Sequence, residues 1–154
     1  MQDATLVFLV RDQQILLGLK KRGLGEGKYN GFGGKVEPNE AIADAAAREL
    51  QEECGIHVAV RDLQPVARIE FFFAAKPEWN QVVHAFIAKQ WRGEPIETDE
   101  MSPRWFATNS IPYDRMWADD QHWLPRVLQG KRVAAVFTFK EDNETVESAN
   151  IRQI

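Results

Sequence analysis

Three glutamates on one turn of a predicted helix constrain this chain more than any other feature. Glu49, Glu52 and Glu53 are spaced i, i+3, i+4, so at 3.6 residues per turn their side chains fall within an arc of roughly 100°. Like charges held this close repel one another unless a cation or a basic side chain lies between them. Carboxylate oxygens are the ligands that hard divalent ions such as Mg²⁺ prefer. The spacing therefore predicts a metal site used for phosphate chemistry.

The residues around these glutamates predict a helix that packs closely on a sheet. Asn39 is a candidate N-cap, and Glu40 and Asp44 suit the positive end of the helix dipole. An apolar stripe follows one face: Ala43, Ala46, Ala47, Leu50 and Cys54. The glutamates are therefore expected to point away from the core. Gly55 falls where a residue with left-handed backbone often ends a helix, so we expect the helix over residues 39–54.

Arg48 lies on the same helix, one turn before Glu52, and two interpretations of it are open. In the first, the two side chains form an exposed i, i+4 ion pair that stabilises the helix by about 0.3–0.5 kcal/mol. In the second, the guanidinium group orients a carboxylate that takes part in catalysis.

The length and charge of the chain narrow its class. A chain of 154 residues suits one domain with a single core, which we expect to span residues 1–154. The formal net charge of −4 argues against binding polymeric nucleic acid but not against binding a single nucleotide. The one cysteine, Cys54, allows no internal disulfide, and we expect it to be a small core residue. The apolar run 6–10 is too short for a signal peptide or a membrane span. We expect a monomer in the reducing cytoplasm.

The apolar runs predict a mixed sheet packed between helices. The expected strands cover residues 5–10, 15–19, 66–75, 82–89, 105–106, 133–139 and 145–150. Strands 66–75 and 82–89 are expected to form one hairpin, and the last two strands a second. A second helix is expected near residues 120–130. Residues 20–30 form a loop rich in glycine and lysine.

The stretch from Gly34 to Ile56 resembles the signature of the Nudix hydrolases. That signature is Gly, five residues, Glu, seven residues, then Arg-Glu-apolar-any-Glu-Glu-any-Gly-apolar, and residues 34–56 match every specified position. The resemblance implies an α/β/α sandwich with a mixed central sheet, in which this stretch forms a loop–helix–loop. It also implies hydrolysis of a nucleoside diphosphate linked to a further group X, with Mg²⁺ as cofactor and Mn²⁺ as a substitute.

The same resemblance implies roles for individual residues. The expected catalytic residues are Arg48, Glu49, Glu52, Glu53 and Glu100. The expected metal ligands are the four glutamates of that set and the backbone carbonyl of Gly33. The general base is either Glu53 or Glu100, and the spacing does not choose between them.

Other parts of the chain are similar to one subgroup, the MutT-homologue enzymes that hydrolyse oxidised purine nucleoside triphosphates. These parts are residues 16–23, residues 30–34 (Asn-Gly-Phe-Gly-Gly, with no preceding proline) and residues 116–120 (Met-Trp-Ala-Asp-Asp). The implied products are a nucleoside monophosphate and pyrophosphate, and the implied role is cleansing of the nucleotide pool. The implied substrate-binding residues are Thr5, Lys20, Asn30, Phe32, Gly33, Gly34, Lys35, Phe71, Trp117, Asp119 and Asp120.

The residue types in that set suit the binding of a purine base. Trp117 offers a wide face for stacking, and Asn30 offers both a donor and an acceptor. Two adjacent carboxylates, Asp119 and Asp120, raise the pKa of at least one of them in a dry pocket. A protonated carboxyl group can then donate while its neighbour accepts, so the pair suits either an 8-oxo-purine or a 2-oxo-purine.

Plainer interpretations stay open. Asp119 and Asp120 also suit helix N-capping, Lys20 a solvated strand end, and Phe71 a core position. Three residues depart from the best-known members of the subgroup, which have Phe, Trp and Pro at these places: Leu24, Tyr29 and Ala118. The alternatives for the whole protein are a Nudix enzyme for another X (a nucleotide sugar, a dinucleotide or a normal dNTP) and a non-catalytic Nudix-fold binding module.

Overall fold

The computed structural model describes residues 1–154, and its eight strands join one sheet. The strands are β1 (Gln2–Arg11), β2 (Gln14–Lys20), β3 (Tyr29–Asn30), β4 (Gln64–Phe73), β5 (Gln81–Ala88), β6 (Met101–Ala107), β7 (Val133–Phe139) and β8 (Val146–Gln153). The α-helices are α1 (Ile42–Cys54) and α2 (Asp120–Leu128). Neither helix has the length and apolar character needed to cross a bilayer.

The sheet is mixed. Its order is β3-β2-β1-β5-β4-β7-β8. Strand β6 lies outside this order and pairs with β2 over the whole length of β2. The strands of two pairs, β1–β5 and β4–β7, are parallel, and the strands of every other hydrogen-bonded pair are antiparallel. Strands β4 and β5 form the first predicted hairpin, and β7 and β8 form the second.

The two helices lie on opposite faces of this sheet. Successive residues of a strand point to opposite faces, so Val7 and Leu9 of β1 pack in the cluster that contains Leu50 of α1. Phe8, between them, packs in the other cluster with Trp123 of α2, at 5.9 Å between ring centroids. The predicted α/β/α sandwich with a mixed sheet is therefore confirmed.

The start of α1 differs from the prediction. The helix begins at Ile42, with Ala41 at the N-cap position, so the N-cap assignment to Asn39 is wrong. Asn39 instead has a φ of 64°, inside a turn in which Glu40 N donates to Glu37 O at 3.1 Å. Asparagine tolerates left-handed backbone better than most residues, because its short polar side chain bonds locally. The end of the helix is as predicted, with Gly55 at φ 76° and Cys54 buried.

The edge strands also differ from the prediction. β6 covers Met101–Ala107 rather than residues 105–106, because it pairs with β2 residue by residue from Gln14 to Lys20. Its extended backbone therefore follows its partner and not an apolar pattern of its own. β8 runs to Gln153, past the predicted end at residue 150, and most of its side chains are exposed at the sheet edge. Such a strand lacks the apolar alternation that marks strand limits in a sequence.

Candidate active site

A glycine segment, residues 31–35, runs antiparallel beside the first half of β1. Thr5 N donates to Gly34 O at 2.8 Å, and isolated bridges join the segment to β1 on both sides of this bond. A Cβ atom on Gly33 would overlap the carbonyl oxygen of Thr5. Glycine is therefore required at residue 33 so that the segment can lie flat against the strand.

Gly34 leaves room for a carboxylate of α1. A Cβ atom at this position would lie 2.5 Å from the carboxyl carbon of Glu49. The Glu49 side chain is partly buried there, and this burial raises the pKa of its carboxyl group. The absence of a side chain on residue 34 thus allows the Glu49 carboxylate to lie against the glycine segment.

Glu53 is the most buried glutamate of α1, with only 3% of its surface exposed. The expectation that the glutamates of this helix point away from the core is therefore wrong for Glu53. Its carboxylate is turned towards the glycine segment, where Gly33 N donates to Glu53 Oε1 at 2.8 Å. Burial raises the pKa of Glu53 to about 7, against the opposing effect of the Gly33 N–H. A backbone donor thus makes it possible to bury this carboxylate.

Lys20 joins Glu53 to Glu100. Its Nζ lies 3.6 Å from a carboxylate oxygen of each, and the Lys20 side chain is mostly buried. Glu100 also accepts a hydrogen bond from Arg22 at 3.1 Å, which holds the pKa of Glu100 below its usual value. Lys20 thus contacts two of the predicted catalytic carboxylates. The alternative interpretation of Lys20 as a solvated strand end is therefore wrong.

Arg48 holds the remaining carboxylates together. Its Nε donates to Glu40 at 2.8 Å, and its Nη1 donates to Glu49 at 3.0 Å and to Glu52 at 3.3 Å. Its Nη2 donates to the carbonyl oxygen of Lys35 at 3.2 Å. The guanidinium group holds the pKa of Glu40 near 2. Arg48 is therefore the centre of a network, and the interpretation as one surface ion pair does not describe it.

The predicted metal ligands lie around these two cationic side chains. No three acidic, histidine or cysteine side chains are close enough together to coordinate one metal ion. Instead, Lys20 lies between Glu53 and Glu100, and Arg48 lies beside Glu49 and Glu52. All these donors are hard carboxylate oxygens, which suit a hard divalent ion. The donor type of these residues therefore fits such an ion, which would share the carboxylates with Lys20 and Arg48.

A cavity of about 280 Å³ opens beside Gly33 and Glu53, on the α2 face of the sheet. Ten of the predicted substrate-binding residues line this cavity, and six of them come from β1, β2, β3 and the glycine segment: Thr5, Lys20, Asn30, Gly33, Gly34 and Lys35. The other four come from β4 and from the segment that leads into and begins α2: Phe71, Trp117, Asp119 and Asp120. Phe32 does not line the cavity, because its side chain is fully buried in the core beneath α1.

Two adjacent aspartates are buried in this cavity. Asp119 and Asp120 are 3% and 2% exposed. Asp119 accepts a hydrogen bond from Trp123 Nε1 at 2.8 Å, whereas Asp120 Oδ2 has no hydrogen-bond partner in the protein. Burial raises the pKa of both carboxyl groups, and the charge of Asp119 raises that of Asp120 further. Asp119 is at the N-cap of α2 but makes no capping bond, so N-capping does not explain the pair.

An aromatic wall faces the aspartates. Phe73 and Phe139 stack at 4.8 Å between ring centroids, and both contact Trp117 edge-on. The sequence interpretation missed Phe73 and Phe139 as cavity residues. Strand alternation was the available signal, since Phe73 lies two residues after Phe71 on the same strand face. Phe139 needed the β4–β7 register, which pairs it with Phe73.

Known proteins are similar to this chain in sequence and in fold. A family model described as the NUDIX domain matches residues 1–127. The oxidized purine nucleoside triphosphate hydrolase of Mus musculus is 44% identical over 150 residues, which cover 97% of this chain and 94% of that protein. The Danio rerio protein of the same name is 48% identical over 143 residues, covering 93% and 90%.

The crystal structure of a MutT protein from Bacillus halodurans has a TM-score of 0.85 to this chain, at 25% identity, and covers 98% of this chain and 97% of that one. The domain match covers the glycine segment, α1 and the paired aspartates. Nudix hydrolases generally use a divalent metal, and the carboxylate oxygens beside Lys20 and Arg48 are donors of the kind such an ion takes. Sequence, fold and the acidic helix thus agree, and the chain belongs to the Nudix hydrolase family.

Proposed function

We propose that this enzyme hydrolyses oxidised purine nucleoside triphosphates, such as 8-oxo-dGTP and 2-hydroxy-dATP, to the monophosphate and pyrophosphate. One observation carries this proposal: the buried pair Asp119–Asp120 lines the same cavity as Gly33 and Glu53. A base bound at the aspartates would therefore have its phosphates within reach of the acidic helix. The Mus musculus and Danio rerio relatives, both named oxidized purine nucleoside triphosphate hydrolase, support the same substrate class.

The aspartate pair supplies the means to read an oxidised base. Because Asp120 Oδ2 is buried without a partner in the protein, a ligand that offers a matching group relieves its desolvation. With one shared proton, Asp120 donates and Asp119 accepts, or the reverse. Trp117 and the aromatic wall provide flat apolar surface for the purine ring. The pair can then match the donor and acceptor pattern of either an 8-oxo or a 2-oxo purine.

The acidic residues are the proposed binding site for the metal ion that contacts the substrate's phosphates. We propose that Glu49, Glu52, Glu53, Glu100 and the Gly33 carbonyl hold Mg²⁺, with Mn²⁺ as a substitute. When bound, such an ion neutralises the phosphate oxygens and lowers the pKa of a coordinated water. Glu53 is the better candidate for the general base, because the Gly33 N–H fixes its orientation in a buried site. Glu100 is more exposed and is paired with Arg22.

Arg48 acts in this scheme as a positioning residue. Its donors fix Glu40, Glu49 and Glu52 in one network and tie α1 to the glycine segment through the Lys35 carbonyl. The guanidinium fork has the geometry to hold several carboxylates at once, which a lysine ammonium lacks. The glutamates are therefore held in place before the substrate binds.

A substrate panel tests the proposed function. Purified enzyme with Mg²⁺ is incubated with oxidised and normal dNTPs, a nucleotide sugar and a dinucleotide, and the products are separated by chromatography. The proposal expects release of the monophosphate and pyrophosphate, fastest from the oxidised purines. Faster cleavage of the nucleotide sugar, the dinucleotide or normal dNTPs would identify a different Nudix substrate. Tight nucleotide binding without turnover would identify a binding module.

Two adjacent glycines give a matched pair of variants. In Gly34→Ala, the new methyl group meets the end of a flexible side chain, Glu49, so stability should change by less than about 1 kcal/mol. The displaced carboxylate should nevertheless lower kcat by about 10- to 100-fold. In Gly33→Ala, the methyl group meets the Thr5 backbone, so the free energy of unfolding should fall by about 3 kcal/mol or more. Urea unfolding and steady-state kinetics measure both, and equal stability losses would contradict the geometry.

We further propose that the enzyme works as a monomer on free nucleotides in the cytoplasm. The cavity and the acidic residues all come from one chain, so the site needs no second copy. Light scattering after size-exclusion chromatography should give the mass of one chain, and a stable dimer would contradict this proposal.

A further inference from the structure

A glycine-rich flap, residues 21–28, reaches the cavity through its middle residues. Backbone hydrogen bonds close its base, where Gly27 N donates to Lys20 O at 2.9 Å and Lys20 N donates to Lys28 O at 3.0 Å. Gly25 lies at its tip with a φ of 86°, which favours glycine. Leu24 and Gly25 of the flap line the cavity, and Leu24 is 39% exposed.

The flap lies directly against Trp117. A Cβ atom on Gly25 would lie 3.0 Å from Trp117 Nε1. Phe73 and Phe139 contact the same indole edge-on, at 6.1 and 5.9 Å between ring centroids. The ring proposed to stack on the base is therefore held between the flap and the aromatic wall.

Lys28, the last residue of the flap, makes two contacts that hold this arrangement together. Its Nζ lies 5.3 Å from the centroid of the Trp117 ring. The same atom forms an ion pair at 2.8 Å with Glu144, in the turn between β7 and β8. The Lys28 side chain is mostly buried, whereas Glu144 is largely exposed. One ammonium group thus links the flap, the indole and the terminal hairpin. Lys28 forms its ion pair with Glu144 and not with a glutamate of α1.

We propose that Lys28 is a positioning residue that, anchored by Glu144, holds the flap and Trp117 over the base and so sets how tightly the enzyme binds its substrate's base. This role rests on the proposed function, because it assumes that the nucleotide base occupies the cavity beside Trp117. It is separate from the hydrolytic chemistry, which is assigned to the carboxylates of α1 and to Glu100, because Lys28 forms its ion pair with Glu144 instead. Loss of Lys28 should therefore weaken base binding and leave the chemical step unchanged.

The test compares Lys28→Met, Glu144→Gln and the double variant with the wild type. Methionine keeps an unbranched apolar stem, one atom shorter than the lysine side chain, and removes the charge. Lys28→Met should raise KM for 8-oxo-dGTP about three- to tenfold, the range of a partly exposed cation–π contact and ion pair, with kcat within about twofold. Glu144→Gln should act in the same direction by less, and the double variant should match Lys28→Met. Lys131→Met, at an exposed lysine, is the control and should change neither constant.

Product inhibition separates the two ends of the substrate. In Lys28→Met, the inhibition constant of 8-oxo-dGMP, which carries the base, should rise with KM. The constant of inorganic pyrophosphate, which carries none, should stay at the wild-type value. Lys28→Arg should restore both KM and the 8-oxo-dGMP constant, because a guanidinium group also pairs with a carboxylate and lies over an aromatic ring.

Two results would overturn the role of Lys28: an unchanged KM, with or without a fall in kcat, or equal weakening of both inhibitors. A lower melting temperature with normal KM would assign Lys28 to stability alone and would also overturn it. The wild-type measurements test the proposed function independently, since they concern which nucleotide is cleaved. If another nucleotide proves to be the substrate, the same variants measured with that nucleotide and its monophosphate decide the role of Lys28.

Discussion

Replacing Glu53 by glutamine is expected to lower kcat about 10²- to 10⁴-fold, the range for loss of a general base, while the fold stays intact. Glutamine has nearly the same volume, and its amide oxygen can still accept the hydrogen bond from Gly33 N. The substitution removes the charge and the basic oxygen, so the ability to take a proton from water is lost. Steady-state kinetics with Mg²⁺ and saturating oxidised nucleotide measure the effect.

The control for this variant is Glu147→Gln, which makes the same chemical change at an exposed position on β8. It should keep the wild-type kcat. Circular dichroism melts should show that both variants are folded. Near-normal turnover of a folded Glu53→Gln enzyme would remove Glu53 from the mechanism and would direct attention to Glu100.

Replacing Asp120 by alanine is expected to lower kcat/KM for oxidised purines by about 10- to 100-fold, the cost of losing one strong hydrogen bond to the base. The loss should be much smaller for any normal purine triphosphate that the enzyme accepts, because such a base lacks the oxidised edge. Asp120→Asn should lose less than Asp120→Ala. Asparagine keeps a donor and an acceptor in nearly the same place and resembles the protonated carboxyl group.

The pH dependence of these variants provides a second readout. Burial raises the pKa of Asp120, so the native state holds its proton more tightly than the unfolded chain does. Wild-type stability should therefore fall as pH rises from the ordinary aspartate range to the raised pKa of the native state. Asp120→Asn should lack this fall and be the more stable protein at about pH 8, with a smaller difference at about pH 5. Urea unfolding at the two pH values checks this result.

Neighbouring groups do not reverse the sign of that dependence. Asp119 is also buried, and its pKa is raised for the same reason, to about 6. Burial raises the pKa of Tyr113, which is near Asp120, to about 12, so it stays neutral throughout. KM of the wild type for 8-oxo-dGTP should rise with pH as the shared proton is lost, while KM of Asp120→Asn, in which only Asp119 can still titrate, should rise less. Parallel curves for the two enzymes would contradict a role for the Asp120 proton in base binding.

The sequence was sufficient to predict the helix of glutamates and the layered fold. Local rules govern these features: carboxylates at i, i+3, i+4 share a helix face, and Gly55 ends the helix with the expected left-handed backbone. The apolar runs marked the strands, including β7 at its exact bounds, Val133–Phe139. Each of these predictions depends on neighbours that are close in the chain.

The features that the sequence could not reveal depend on contacts between distant segments. Burial of Glu53 needs the Gly33 N–H, which is twenty residues away in the chain. The bridge from Lys20 to Glu100 depends on the pairing of β2 with β6. Phe139 joins the aromatic wall only through the β4–β7 register. Helical periodicity placed Glu53 with its neighbours, but it carries no information about which backbone lies opposite.

The most direct test is the ratio of kcat/KM for 8-oxo-dGTP to that for dGTP, measured with Mg²⁺ in the wild type and in two variants. The wild type should prefer the oxidised nucleotide by about tenfold or more, the effect of one additional hydrogen bond to the base. Asp120→Ala should lose most of this preference, whereas Glu53→Gln should slow both substrates and keep it. A wild-type ratio near one, or a preference that survives in Asp120→Ala, would contradict the assignment of the buried aspartates to the oxidised base.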